Sequence, residues 1–90
     1  MFRVDWLESS LNELTTLWTG ADSRQRTAIT AAAHAIEQRL MADATNEGES
    51  RPGGRRLMFA APLAVTFQIE QDGATATVLH VRLFRKRGSH

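Results

Sequence analysis

The chain has 90 residues, of which 42% are hydrophobic and 23% are charged, and it contains no cysteine. This composition is typical of a globular protein and argues against disorder, and the lack of cysteine excludes disulfides and thiolate metal sites. No apolar run approaches the roughly 20 residues that span a bilayer, and the N-terminus lacks the pattern of a signal peptide. We therefore expect one small cytoplasmic domain over residues 1–87. Residues 88–90 form the end of a basic tail and resemble a remnant of cloning.

Charge is distributed unevenly, although the net charge is only +1. The first fifty residues carry four basic and eight acidic side chains, whereas the rest of the chain carries seven basic and two acidic ones. Such an asymmetry creates a local positive field that an anionic partner could use. The alternative is that basic residues at the edge and tail of a sheet only keep it soluble.

Apolar spacing predicts a short strand followed by a helix. Phe2, Val4 and Trp6 alternate with polar residues, as in a strand. Leu residues and Trp18 then recur at helical spacing, which predicts a first helix from about Trp6 to Trp18, ended by Gly20. The apolar positions of this helix are Leu7, Leu11, Leu14, Leu17 and Trp18.

A second helix is predicted to begin after Asp22 and to run to about Asp43. Asp22 and Gln25 have the spacing of a capping box. The residues expected to form its buried stripe are Ile29, Ala33, Ile36 and Leu40. Residues 46–54 are polar and rich in Gly and Pro, which predicts a loop.

The remaining sequence predicts three antiparallel strands. Their expected ranges are Arg55 to Ala60, Leu63 to Glu70 and Ala74 to Phe84, with turns at Pro62 and at Gln71-Asp72-Gly73. The predicted fold class is therefore α+β: a short N-terminal strand, a two-helix hairpin and a three-stranded antiparallel meander, with the helices on one face of the sheet.

Alternation along these strands predicts which side chains face the helices. Odd-numbered residues are mostly large and apolar and are expected to be buried: Leu57, Phe59, Leu63, Val65, Phe67, Ile69, Leu79, Val81 and Leu83. Even-numbered residues are expected on the other face: Arg56, Met58, Ala60, Ala64, Thr66, Gln68, Glu70, Ala76, Val78, His80, Arg82 and Phe84. This second face is either simply solvated or a binding surface.

Three side chains of the second face form a candidate catalytic group. Arg56, His80 and Arg82 would converge in a suitable strand register, since arginine suits phosphate and histidine titrates near neutral pH. With Thr66, Gln68 and Phe84 nearby, the face would suit single-stranded RNA. An exposed His80 without a role is the alternative. The histidine spacing does not predict a metal site, and no cofactor is expected.

The order of elements resembles the RelE/ParE superfamily of toxins from type II toxin–antitoxin systems, which includes plasmid stabilisation proteins. The likeness is carried by Phe2 to Trp6 with the Leu11/Leu14 helix, by Gly48 to Leu57, by Pro62 to Ile69 and by Val78 to Val81.

This resemblance implies a cytoplasmic toxin that a partner antitoxin silences. RelE-type members cleave mRNA on the ribosome with basic residues of the sheet, which implies catalytic roles for His80, Arg82 and Arg56. The further basic residues expected to hold RNA phosphates are Arg51, Arg55, Arg85, Lys86 and Arg87.

Two departures keep other functions open. The chain has no tyrosine, a residue that often assists in RelE-type members, and Ala64 stands where many of them carry a central-strand arginine. The alternatives are a ParE-like toxin that inhibits a protein such as DNA gyrase without catalysis, and an inactive interaction module that binds a partner helix or strand.

Overall fold

A computed structural model describes residues 1–84. Two helices pack against a five-stranded sheet with the strand order β1-β5-β4-β3-β2. The elements in chain order are β1 (Arg3–Trp6), α1 (Glu8–Thr19), α2 (Ser23–Asp43), β2 (Glu49–Arg51), β3 (Arg55–Ala60), β4 (Leu63–Ile69) and β5 (Thr75–Leu83). Strand β1 runs parallel to β5, and the other neighbours are antiparallel. The predicted α+β class, helix hairpin and meander are confirmed.

Strand β2 lies inside the segment that was predicted to be a loop. Glu49 to Arg51 pair with Leu57 to Arg55 across a tight turn at Pro52–Gly54. Gly53 and Gly54 in this turn both have positive φ angles, 81° and 74°, which glycine adopts without steric cost. The turn therefore folds part of the polar loop into an edge strand.

The helix ends follow the capping signals in the sequence. Asp22 and Gln25 form the predicted capping box at the start of α2, with the Gln25 N–H donating to Asp22 Oδ1 at 2.8 Å. Arg26 donates to the carbonyl oxygens of Trp18 and Thr19, and its guanidinium lies 4.3 Å from the Trp18 ring centroid. These contacts join the last turn of α1 to the first turn of α2.

The core lies between α2 and one face of the sheet. On α2, Ala32 is buried and Ala33 only partly so, while Ile29, Ile36 and Leu40 are buried as predicted. The sheet contributes Met58, Leu63, Val65, Phe67, Ala76, Val78 and Val81. No helix within residues 1–84 is long and apolar enough to span a membrane.

The odd–even prediction is wrong for β3. Met58 is 1% exposed and Phe59 37% exposed, the reverse of the expectation. Only Ala61 and Pro62 separate β3 from β4, so Ala60 pairs with Leu63 and every odd residue of β4 lies opposite an even residue of β3. Arg56, Met58 and Ala60 therefore lie on the helix side, and Leu57 and Phe59 lie on the other side.

The same prediction fails in the first half of β5. Between Thr66 and Phe67 the register with β5 shifts by one residue, so Thr66 pairs with His80 but Phe67 pairs with Val78. This β-bulge moves Ala76 and Val78 to the buried face, whereas Val81 keeps the predicted buried position. Leu83 is exposed rather than buried.

Candidate active site

The sheet face that points away from α2 is called the open face. Its side chains are set by cross-strand pairing, because directly paired residues share a face. They are Arg55, Leu57 and Phe59 on β3, Ala64, Thr66 and Gln68 on β4, and Thr77, His80 and Arg82 on β5.

His80 and Arg82 lie side by side on the open face. Thr66 is the partner of His80, and Ala64 is the partner of Arg82. Two residues on one strand are separated by about 7 Å between Cα atoms. The His80 side chain is 40% exposed and Arg82 is exposed. A phosphate that contacts Arg82 therefore lies within reach of the imidazole.

The carboxylate of Glu13, on α1, lies close to His80. Glu13 Oε1 accepts a hydrogen bond from the Val81 backbone N–H at 2.9 Å, and its Oε2 lies 3.6 Å from His80 Nδ1. That nitrogen is buried and has no hydrogen-bond partner within the described residues. The His80 side chain is nevertheless 40% exposed, and Nε2, unlike Nδ1, is not a buried atom without a partner.

Arg55 is the other unpaired cation of the open face. No carboxylate within residues 1–84 forms an ion pair with Arg55 or Arg82, whereas Arg51 pairs with Glu49 at 3.2 Å. Arg55 lies two strands away from His80 and one side-chain row along, about 12 Å between Cα atoms by standard sheet spacing. Arg55 and Arg82 therefore lie on different sides of His80 on the open face.

Arg56 does not converge with His80 and Arg82. It pairs with the buried Phe67 on the helix side of the sheet, and its Nη1 donates to the Glu47 carbonyl oxygen at 3.2 Å. This contact holds the segment before β2. The structure therefore separates Arg56 from the other two residues of the predicted catalytic group.

Aromatic side chains border the site. The ring centroids of Phe59 and Phe84 are 4.6 Å apart, and Phe59 lies opposite Ala64. The small Ala64 side chain leaves these rings accessible next to Arg82. An exposed aromatic pair beside a cation is a surface on which a nucleobase can stack.

Acidic groups lie at the opposite end of the open face. Hydrogen bonds from the side chains of Thr77 and then Gln68 lower the pKa of Glu70. Asp5 lies opposite Thr77 and pairs with Arg3 at 3.0 Å. Along β5, the open face therefore carries Glu70 and Asp5 near one end and Arg82 near the other, where Glu13 lies beside His80.

The remaining basic residues predicted to bind RNA, Arg85, Lys86 and Arg87, lie outside the described residues. Sequence reasoning missed Glu13. Its spacing in the sequence could have revealed it. Glu13 shares one helix face with the buried Ser10 and with Leu14 and Leu17, which contact the core, so its side chain is directed toward the sheet.

Neither a family model nor a curated protein sequence matches the chain. Solved structures do match over nearly the whole chain. A ParDE toxin–antitoxin system from Pseudomonas aeruginosa contains a chain with a TM-score of 0.70 at 13% identity, covering 94% of this chain and 98% of that one. A RelBE complex from Mycobacterium tuberculosis gives 0.68 at 13% identity, with 91% and 90% covered.

A third structure, the intact Escherichia coli RelBE complex, gives a TM-score of 0.64 at 14% identity and covers 97% of this chain and 100% of that one. The chain has the RelE/ParE fold. The resemblance inferred from short sequence motifs is thereby confirmed at the level of the fold. In this fold, the open face presents His80 and Arg82.

Proposed function

We propose that the protein is the toxin of a type II toxin–antitoxin module and that it cleaves mRNA in the cytoplasm, as RelE-type toxins do. The RelE/ParE fold supports the first part of this proposal. One observation carries the second part: the partly exposed His80 lies next to Arg82, which forms no ion pair within residues 1–84, on the same face of the sheet.

The chemistry uses the 2′-hydroxyl of the RNA as the nucleophile. His80 Nε2 accepts the 2′-hydroxyl proton while the O2′–P bond forms and the P–O5′ bond breaks. Arg82 donates hydrogen bonds to the phosphate oxygens and stabilises the charge of the transition state. The leaving 5′-oxygen takes a proton from solvent. The products are a 2′,3′-cyclic phosphate and a 5′-hydroxyl.

The rest of the open face positions the RNA strand. Arg55 holds a phosphate beyond the scissile one, and Phe59 with Phe84 receives a neighbouring base. Thr66, opposite His80, supplies a hydroxyl that can hydrogen-bond to the ribose or the phosphate.

An antitoxin is the proposed protein partner, and α1 supports a partner of this kind. Leu7, at the N-cap of α1, and Leu11 and Trp18 within the helix are exposed although they follow helical spacing. Large exposed apolar side chains that share a helix face are typical of protein-binding surfaces. A partner that covers α1 and the adjoining open face would shield both the apolar stripe and His80.

A ParE-like toxin that inhibits a protein target such as DNA gyrase is the second candidate. The observation that favours it is the apolar character of part of the open face, where Phe59 and Leu57 are accessible and no tyrosine is available for catalysis. Such a toxin would act by binding alone.

Induced expression in a bacterial host tests the proposal, with growth and transcript 5′ ends recorded in the same cells. The nuclease proposal expects growth arrest with new cleavage ends, both abolished by His80→Ala and retained by the control His34→Ala, which changes an exposed histidine of α2. Arrest without new ends, insensitive to His80→Ala, would favour the binding toxin. The absence of arrest would contradict the toxin proposal.

A further inference from the structure

We propose that Glu13 is the positioning residue of His80: its carboxylate holds the neutral imidazole in the tautomer with the proton on Nδ1, which leaves Nε2 as a proton acceptor on the open face. This inference rests on the proposed function for its catalytic meaning. The orientation of the imidazole itself depends only on the contact between the Glu13 and His80 side chains.

Glu13 is held in an orientation that faces His80. Its Oε1 accepts from the Val81 N–H at 2.9 Å, at the edge of β5 beyond the end of β1, whose last residue Trp6 pairs with Val78. This bond satisfies a backbone donor that no strand covers. It also fixes the orientation of the carboxylate, so that Oε2 faces the adjacent residue, His80.

Helix α1 fixes the position of Glu13 from the other side. Ser10, one turn earlier, is fully buried and donates from Oγ to the Leu7 carbonyl oxygen at 2.7 Å. Leu14 and Leu17 on the same side contact the core. The carboxylate thus projects from a packed helix face onto a packed strand.

The Glu13 carboxylate determines which nitrogen of the neutral imidazole carries the proton. A carboxylate can only accept hydrogen bonds, so a neutral histidine beside it must donate from the nitrogen that faces it. The facing nitrogen is Nδ1, which is buried and has no other partner within residues 1–84. The separation of 3.6 Å is longer than a hydrogen bond, and the hydrogen bonds of catalytic groups are often long before substrate binds and tighten in the complex.

A proton on Nδ1 leaves Nε2 as the unprotonated nitrogen of the ring. With the proton on Nδ1, the lone pair of Nε2 points to the accessible side, where Arg82 would hold a phosphate. The same logic operates in hydrolases in which a buried acid orients a histidine base, and replacing that acid with its amide lowers the rate by about 10⁴-fold because the tautomer is wrong.

Glu13→Gln separates this role from a structural one. The amide oxygen can still accept from the Val81 N–H, so the link between α1 and β5 is kept. The amide nitrogen then faces Nδ1 and donates to it, which forces the imidazole proton onto Nε2. Glu8→Gln is the matched control, because it makes the same chemical change at an exposed position of the same helix.

The measurement is ¹⁵N NMR of the histidine side chains in mildly alkaline buffer, with His80→Gln to identify the His80 resonances. We expect the Nδ1–H tautomer in the wild type and in Glu8→Gln, and the Nε2–H tautomer in Glu13→Gln. The same tautomer in the wild type and Glu13→Gln would overturn the inference.

RNA cleavage kinetics provide the second readout. Glu13→Gln should lower kcat by about 10²- to 10⁴-fold with KM nearly unchanged, while Glu8→Gln keeps both values. A wild-type protein that shows the expected tautomers but does not cleave RNA would support the Glu13–His80 assignment and contradict the proposed nuclease. A cleaving protein whose kcat is unchanged by Glu13→Gln would overturn the positioning role.

Discussion

Met58 lies directly opposite Val65 on the neighbouring strand, and both side chains are buried in the core beneath α2. The next residue, Phe59, points to the open face and is more than a third exposed. Even-numbered residues of β3 pair with odd-numbered residues of β4. The even residues of β3 therefore face the core and stabilise the fold, whereas the odd residues point to the open face and are available for binding.

Met58→Ala should destabilise the protein much more than Phe59→Ala. Removing a buried Met side chain costs about 2–5 kcal/mol, because apolar contacts are lost and a cavity remains. Losing the Phe59–Phe84 contact at the surface should cost about 1 kcal/mol. Denaturant unfolding of both variants measures the difference, and a larger loss for Phe59→Ala would contradict the register of β3.

Arg82→Ala and Arg56→Ala should have opposite effects. Arg82→Ala should lower the RNA cleavage rate by about 10²–10³-fold, because a donor to the transition state is lost, and should leave stability nearly unchanged. Arg56→Ala should keep the rate and lower stability by about 1 kcal/mol, because the hydrogen bond to the Glu47 carbonyl is lost. Cleavage assays and thermal unfolding of the two variants test this division. A large rate loss in a folded Arg56→Ala protein would contradict it.

Gly48→Ala should be strongly destabilising. Gly48 has a φ angle of +77°, and a Cβ atom there would lie 2.8 Å from the Leu57 carbonyl oxygen. Strain and backbone overlap together should cost about 2–4 kcal/mol. Gly53→Ala is the control, since Gly53 has a similar φ of +81° but open space around the added Cβ, and it should cost only about 1 kcal/mol. Equal losses of unfolding free energy would contradict the close approach at Gly48.

Asp72→Asn should remove part of the acid sensitivity of the fold. Hydrogen bonds from the Ala74 N–H and then from Thr75 lower the pKa of Asp72 below its ordinary value of 3.8. A carboxyl with a lowered folded pKa stabilises the protein above its unfolded pKa, and this contribution disappears as pH falls through the folded pKa. The wild type should therefore be more stable than Asp72→Asn at neutral pH, and the difference should shrink in acid. Denaturant midpoints across that pH range measure it, and a constant difference would rule out the turn carboxylate as its source.

Sequence patterns predicted the elements well, because capping residues, turn residues and apolar periodicity are local signals. The bounds of β3 agree with the prediction, those of β4 differ by one residue at the C-terminal end, and those of β5 differ by one residue at each end. The faces of the strands were less predictable. The two-residue turn at Ala61-Pro62 alone implies that residue parity reverses between β3 and β4, whereas the bulge opposite Thr66 leaves no comparable mark in the sequence.

The candidate site was predicted in part. His80 and Arg82 are neighbours on one strand, so any extended conformation places them on one face. Arg56 was assigned to the same face by parity, and the turn before β4 reverses that assignment. Glu13 is 67 residues away from His80 in sequence, and only the packing of α1 against β5 brings the two side chains together.

The most direct test of the proposed nuclease activity is the chemistry of the products. Purified protein would be given ribosome-bound mRNA, and a matched mRNA with a 2′-deoxyribose at the cleaved position. We expect 5′-hydroxyl and 2′,3′-cyclic phosphate ends from the first and no cleavage of the second, since the 2′-hydroxyl is the nucleophile. Cleavage of the 2′-deoxy substrate, or products with 5′-phosphate ends, would contradict the proposed roles of His80 and Arg82.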